Sequence, residues 1–399
     1  MKALIADAFP ARYIDELHKI GIDCEYKPKL KAEELADAIG ESNVLVVRST
    51  EVHADCIEHG KQLSLIVRAG AGVNNIDMKA ANAHGIYVSN CPGKNAIAVA
   101  ELTMGLLCAL DRRIPDNVID LRNGQWNKGE YSNADGLFGK TIGIVGTGQI
   151  GKEVVLRAKA FGLNVIAFSR TLNAHKAQQI GARFAATIEE LISQSDIVSL
   201  HVALKPETRG LFSKDRVALL KQGAILLNTS RAEVVDEKAV FEAVKAGKIR
   251  YGADVLADEP EDKSAAFDSA LGKLSGAYIT HHIGASTEQA QNAVAEETVA
   301  IIREFKELGS IRIWVNRAKK TQAEWQLVVR HFDKAGVLAN VLDDLRSANL
   351  NVQEVENVVF EGAQTACCTL KLDARPSDAT IQSIQSRANE VIQVSLIAL

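Results

Sequence analysis

The stretch that most constrains the fold is Thr141-Ile-Gly-Ile-Val-Gly-Thr-Gly-Gln-Ile-Gly151, an apolar run that ends in glycines and continues with helical periodicity. Such a run reads as a strand, a tight turn and the start of a helix. Each glycine of Gly146-x-Gly148-x-x-Gly151 has its own reason to lack a side chain. Gly146 permits the turn, Gly148 lets a pyrophosphate approach the backbone, and Gly151 lets the helix pack on the strand. Gln149 and Ile150 open that helix, whose free N–H groups face an anion. A helical pattern from Ile150 to Phe161 and a second apolar run, Asn164 to Phe168, complete the strand-helix-strand unit in which this spacing signals a dinucleotide.

The end of the second strand bears on which dinucleotide. In NAD sites an acidic residue about 20 positions after the glycines bonds the ribose 2′-hydroxyl, whereas an arginine accommodates a 2′-phosphate. The strand here ends Ala167-Phe168-Ser169-Arg170-Thr171, with no acid. Ser169 removes a carboxylate that would repel phosphate, and Arg170 supplies a permanently charged fork. The pair leans towards NADP or dual use, against the alternative that Arg170 only stacks on the adenine while NAD is used.

A chain of 399 residues has room for two or three domains. Its net charge of −4 suggests neither a nucleic-acid surface nor a basic membrane-binding face. No apolar run reaches transmembrane length, and the opening Met1-Lys-Ala-Leu-Ile-Ala-Asp reads as a strand rather than a leader, so the expected location is the cytoplasm. The six cysteines, at 24, 56, 91, 108, 367 and 368, form no CxxC pair or zinc-spaced cluster, and no metal is expected.

From residue 1 to about 90, short apolar runs alternate with helical stretches, as in a parallel sheet covered on both faces. The turn-rich Asn90 to Asn95 follows, then a nearly all-apolar helix, Ala96 to Leu110. Further strands are expected at Ile197 to His201, Ala224 to Ser230, Gly252 to Leu256 and Ala277 to His282, before a long helix, Ser286 to Leu308. This order predicts an α/β protein of two doubly wound parallel-sheet units, Rossmann- or flavodoxin-like, one inserted in the other. The expected domains are 1–92 with 283–316, for substrate, and 93–282, for the dinucleotide. After a polar linker at 317–324, the tail reads as strand, helix, two strands, helix, strand, the ferredoxin-like βαββαβ order, over 322–399.

Five strings in this order, Arg68-Ala-Gly-Ala-Gly-Val-Asn-Asn-Ile-Asp77, the glycine motif, Leu227-Asn-Thr-Ser-Arg-Ala-Glu-Val-Val-Asp236, Gly252-Ala-Asp-Val-Leu-Ala-Asp-Glu-Pro260 and His282-Ile-Gly-Ala-Ser-Thr287, resemble the D-isomer-specific 2-hydroxyacid dehydrogenases. The resemblance covers residues 1 to about 316. It implies hydride transfer between a nicotinamide dinucleotide and a small 2-hydroxy acid, with a catalytic trio at Arg231, Glu259 and His282. His282 would take the hydroxyl proton, Glu259 would hold its other ring nitrogen, and Arg231 would clamp the substrate carboxylate. It further implies cofactor contacts at His201, Thr229, Ser230 and Asp254. The substrate-facing positions it implies are Lys27, Arg48, Ser49, Gly70, Ala71, Gly72, Asn95 and Lys128. Lys27, Arg48 and Lys128 together would suit a phosphorylated acid. Trp126 matches a residue that inserts into a neighbouring subunit, so a homodimer or homotetramer is expected.

Three departures from the family pattern stand out: His281 and Ala203 in place of prolines, and Thr50 in place of an arginine found in some members. The tail resembles an ACT domain, with His331, Asp333 and Asn351 at the positions that bind L-serine in regulated members; the alternative is a pairing module without effector. Two rival readings share the motifs: an NADPH-dependent glyoxylate or hydroxypyruvate reductase, and a dinucleotide-sensing corepressor without turnover.

Overall fold

The structure, a computed structural model, describes residues 1–260 and 264–399. It divides into two compact units, Met1–Asn316 and Arg317–Leu399. The first contains two parallel sheets. Strands β1 (Lys2–Ile5), β2 (Asp23–Tyr26), β3 (Val44–Val47), β4 (Leu65–Arg68) and β5 (Tyr87–Asn90) form one, in the order β2-β1-β3-β4-β5. The other has seven strands: β6 (Thr141–Val145), β7 (Asn164–Phe168), β8 (Arg183–Phe184), β9 (Ile197–Leu200), β10 (Ala224–Asn228), β11 (Ile249–Ala253) and β12 (Ala277–Ile279). Their order is β12-β11-β10-β9-β6-β7-β8.

Helices cover both faces of each sheet, so the central strands are continuous apolar runs rather than alternating ones. Val44–Val47 and Ile197–Leu200 are buried at every residue. Strand order reverses between β1 and β3 in the first sheet and between β6 and β9 in the second. Crevices at the carboxyl ends of such switch points are where open α/β sheets bind ligands.

Two connections join the sheets. The first runs through Cys91–Asn95 into helix Ala96–Arg112, which packs against helix Gln149–Ala160 and strands β10 and β11. The second ends in helix Glu288–Leu308, where Ala295, Val299, Ile301 and Ile302 share a buried cluster with Ala3 and Ile5 of the first sheet and with Tyr13 and Leu17 of helix Ala11–Lys19. The chain thus returns to the sheet it left.

Several elements differ from the sequence expectation in extent. The strand expected over 252–256 lies at Ile249–Ala253, because Gly252 is inside it rather than at its edge. A Cβ there would come within 2.8 Å of Leu227 and 2.9 Å of Leu110, so glycine is what lets the helix close on the sheet. The strand expected to reach His282 stops at Ile279, where the chain folds around Asp254. One of the helical stretches in the first 90 residues is only a 3-10 turn, Ala32–Glu34, followed by one α-turn, Leu35–Ala38.

The second unit contains β13 (Trp325–Phe332), β14 (Val352–Val359), β15 (Thr365–Leu372) and β16 (Val391–Ala398), antiparallel in the order β14-β15-β13-β16. Helices Val337–Ser347 and Asp378–Gln385 pack on one face, with Val341, Leu345 and Ile384 against Leu327, Val329, Cys368 and Leu370. Cys368 is buried while Cys367 is only partly so, as adjacent strand residues on opposite faces require. No helix among the described residues is long and apolar enough to cross a membrane.

Candidate active site

The glycine turn lies at the switch point of the seven-stranded sheet. Gly146 has φ 98°, and its N–H donates to Phe168 O at 2.8 Å, linking the turn to the end of β7. A Cβ on Gly146 would lie 2.4 Å from His201 O, and one on Gly151 would lie 2.0 Å from Gly146 O. Gly148 differs, since a Cβ there would meet nothing within 4 Å. The backbone is pressed against protein at two glycines and opens on free space at the third, the cradle a pyrophosphate needs in front of helix Gln149–Ala160. Gln149 also packs on Gly93 of the first connection.

His201, just beyond β9, is buried with Ser199 Oγ 2.8 Å from its Nε2. Burial pushes its pKa down to about 3, so the imidazole is neutral. Its Nδ1 has no partner among the described residues, nor have Arg68 Nε and Asn95 Oδ1. Buried polar groups without partners are uncommon, and at strand ends lining a crevice a ligand is the natural one. Ser169 and Arg170 follow β7, and Arg170 Nη1 donates to Glu207 Oε1 at 2.7 Å. Thr229 and Ser230, beyond β10, spend their hydroxyls inside the protein, on Thr103 Oγ1 and Asn228 Oδ1.

Glu259 and His282 come together across 23 residues of sequence, with His282 Nδ1 2.8 Å from Glu259 Oε2. Leu256 N–H donates to the other Glu259 oxygen at 2.8 Å. Burial alone would raise the Glu259 carboxyl, but the His282 hydrogen bond, the Leu256 N–H and the nearby Arg231 charge hold it below its ordinary range. The carboxylate is therefore ionised and fixes the ring with Nε2 free to face a substrate.

Both residues sit in unusual backbone. His282 has φ 52°, and Asp258, just before Glu259, has φ 57°. Left-handed conformations at residues other than glycine persist only where the surroundings enforce them. Asp254 does this for His282. It is buried at the end of β11, and its carboxylate accepts from Thr280 Oγ1 at 2.5 Å, Ile283 N at 2.9 Å and Gly284 N at 2.7 Å. These donors bracket His282. Asp254, expected as a cofactor contact, is thus occupied with tying down the histidine loop.

On the opposite wall, Asp7 at the end of β1 accepts from the backbone N–H groups of Arg48, Ser49 and Thr50 at 2.7, 3.0 and 3.0 Å. Burial would raise its carboxyl, but the Thr50, Arg48 and Ser49 N–H groups outweigh it and hold the group below its ordinary range. The loop that presents Arg48 is therefore built on a buried anion.

Among the described residues no contact joins Lys27 and Lys128 to Arg48. Lys27 Nζ pairs with Glu25 at 2.7 Å, and Lys128 lines a separate groove with Asp120, Trp126 and Tyr131. What gathers instead is Arg68 with Arg48 and Arg231. Burial, then the charges of Arg231 and Arg48, lower the Arg68 guanidinium to about 10. The glycines of Gly70-Ala71-Gly72 make room for these arginines: a Cβ on Gly70 would lie 1.6 Å from Arg68 Nη1, and one on Gly72 would lie 3.1 Å from Arg231 Nη2. Arg231 also donates to Ser230 O at 2.6 Å. Three like charges near one another, one of them half-buried, call for an anionic ligand. Among the described residues no three His, Cys, Asp or Glu side chains are grouped to hold a metal ion.

The tail residues expected at an effector site are dissimilar. His331 is buried, with Nδ1 2.8 Å from Phe332 O and Nε2 3.1 Å from Asn357 Oδ1. Asp333 and Asn351 are exposed. Both ring nitrogens of His331 are thus taken up within the tail.

Comparison with known proteins bears on the first unit. The model for the D-isomer-specific 2-hydroxyacid dehydrogenase NAD-binding domain matches residues 104–284. The chain is 41% identical over 309 residues to D-3-phosphoglycerate dehydrogenase of Methanocaldococcus jannaschii, a match covering 76% of this chain and 58% of that one. It is 42% identical over 281 residues to hydroxypyruvate reductase of Thermotoga maritima, covering 70% of this chain and 89% of that one. Among solved structures, NAD⁺-bound 3-phosphoglycerate dehydrogenase of Entamoeba histolytica matches 79% of this chain and 99% of its own, with a TM-score of 0.66 and 26% identity. The chain spans only a little over half the length of the M. jannaschii relative.

Proposed function

Because the chain belongs to the D-isomer-specific 2-hydroxyacid dehydrogenases, we propose that it is a D-3-phosphoglycerate dehydrogenase, moving a hydride reversibly between 3-phosphoglycerate and a nicotinamide dinucleotide. The product would be 3-phosphohydroxypyruvate, at the first step of L-serine biosynthesis. The observation that carries this reading is the arginine group, Arg48, Arg68 and Arg231, on the same crevice as the Glu259–His282 pair. A substrate with both a carboxylate and a phosphate answers that charge better than glyoxylate, which has a carboxylate alone.

A dinucleotide held at the Gly146–Gly151 turn would supply the hydride acceptor. His282 Nε2 takes the C2 hydroxyl proton as hydride leaves, and returns it in reduction. Glu259 holds the ring through Nδ1 and stabilises the imidazolium that forms. Arg231 clamps the carboxylate and polarises the C2 oxygen, and Arg48 and Arg68 bind the phosphate. The domains in this reading are 1–92 with 283–316 for substrate, 93–282 for the dinucleotide, and 322–399 as an ACT-like regulatory module, supported by its βαββαβ order. L-serine would contact that module at His331, Asp333 and Asn351. Trp126 and Phe138, 79% and 89% exposed, support pairing of chains through the nucleotide domains.

The Thermotoga relative favours a second reading, a hydroxypyruvate reductase. The two separate when nicotinamide absorbance is followed with 3-phosphohydroxypyruvate, hydroxypyruvate and glyoxylate, each with NADH and with NADPH. A kcat/KM at least about tenfold higher for the phosphorylated acid is expected, equivalent to about 1.4 kcal/mol of transition-state binding. Preference for hydroxypyruvate would transfer the chain to the reductases.

A further inference from the structure

We infer that Glu207, in the loop after β9, sets the dinucleotide preference of this site by holding Arg170, so that the chain favours NAD over NADP. The inference rests on the dinucleotide reading of the glycine turn and reverses what Ser169 and Arg170 imply by themselves. The turn has two banks: β7 ends on one side, where Gly146 N–H reaches Phe168 O, and β9 ends on the other, where His201 O and Val202 pack against Gly146. Arg170 rises from the first bank and Glu207 from the second. Their 2.7 Å ion pair bridges them.

Glu207 is well placed by its own loop. It lies in the 3-10 turn Pro206–Thr208, where Thr208 Oγ1 donates to Ala203 O at 2.6 Å and accepts from Lys205 N at 2.8 Å. The next arginine, Arg209, points its charge to Glu233 instead. A carboxylate on this bank does what the missing acid at the end of β7 does elsewhere: it accepts from ribose hydroxyls and repels a 2′-phosphate. It also occupies the guanidinium fork on which that phosphate would depend. Lys205 adds a second cation near Glu207, so removing the carboxylate leaves two positive charges on this side of the turn without their anion. The Arg170–Glu207 pair is largely solvent-exposed, and such pairs contribute little to folding, so variants here remain testable.

The test is direct binding, with the nucleotide fluorescence of NADH and NADPH titrated into the full chain. The wild-type chain is expected to bind NADH at least about tenfold more tightly. Glu207→Gln should narrow that ratio by about tenfold, chiefly through tighter NADPH, and adding Arg170→Ala should abolish the gain. Circular dichroism checks that each variant is folded. A ratio unmoved by Glu207→Gln, or a wild type that prefers NADPH, overturns the inference while leaving the dinucleotide site standing. Binding of neither nucleotide overturns the site and the inference together.

Discussion

Two histidines stand just beyond strand ends of the same sheet, His201 after β9 and His282 after β12, and their surroundings are opposite. His282 is half exposed, with a carboxylate on Nδ1 and a left-handed backbone held by the Asp254 loop. His201 is buried with a serine hydroxyl as its neighbour and, among the described residues, no carboxylate partner. An imidazole that shuttles protons needs a partner that favours its cation and an open side for the substrate. A buried imidazole without an anion can only stay neutral and offer a hydrogen bond. Residue type and strand-end position are shared; partner and burial assign the roles.

The sharpest way to break this contrast is to remove each ring. His282→Ala should lower kcat by roughly 10²- to 10⁴-fold, the usual worth of a positioned acid-base group, while the Kd for NADH stays within a few-fold. His201→Asn should do the reverse, weakening NADH binding while kcat at saturation stays within about tenfold. Equal losses of kcat in the two variants would leave no difference of role.

A smaller effect isolates the partner from the ring. Glu259→Gln keeps a group that can hold Nδ1 but loses the charge that stabilises the imidazolium, and kcat should fall by about 10- to 100-fold. That is less than in a fully buried triad, because this pair is partly solvated. Steady-state kinetics should put the loss in kcat rather than KM. A fall in kcat/KM carried by KM alone would make Glu259 a substrate-binding group instead.

The legibility of the site in the sequence follows the distance over which each feature is determined. The glycine turn is readable to the residue because its demands are local: a Cβ on Gly151 would strike the backbone of Gly146, and one on Gly146 the adjacent strand end. The Glu259–His282 pair spans 23 residues and is legible only through resemblance of motifs. The work of Asp254 is not legible, since its donors come from 26 to 30 residues away. Arg68 lies within a quoted motif yet was not among the expected substrate contacts. Its signal is the glycine two positions later, which leaves room for its guanidinium. Lys27 carried the opposite signal, because Glu25 stands two residues earlier and pairs with it. Glu207 belongs to no motif, and only the sheet order brings it opposite Arg170.

The smallest effect tests the His201 half of the contrast without any ligand. Its folded pKa, about 3, lies well below its ordinary 6.5, so the unfolded chain takes up a proton that the folded chain refuses. The contribution to stability is therefore full above pH 6.5 and is lost progressively as pH falls towards 3. At 1.36 kcal/mol per pH unit, the loss between pH 6.5 and pH 5 is about 2 kcal/mol. Other groups titrate over the same range, so the informative quantity is a difference. His201→Asn should be less stable than wild type at pH 7.5, through loss of packing and of the Ser199 contact, yet its Tm should fall less between pH 7.5 and 5. Parallel Tm curves for the two proteins would mean that His201 accepts a proton in the folded state. The two histidines would then differ only in their partners, and burial would drop out of the explanation.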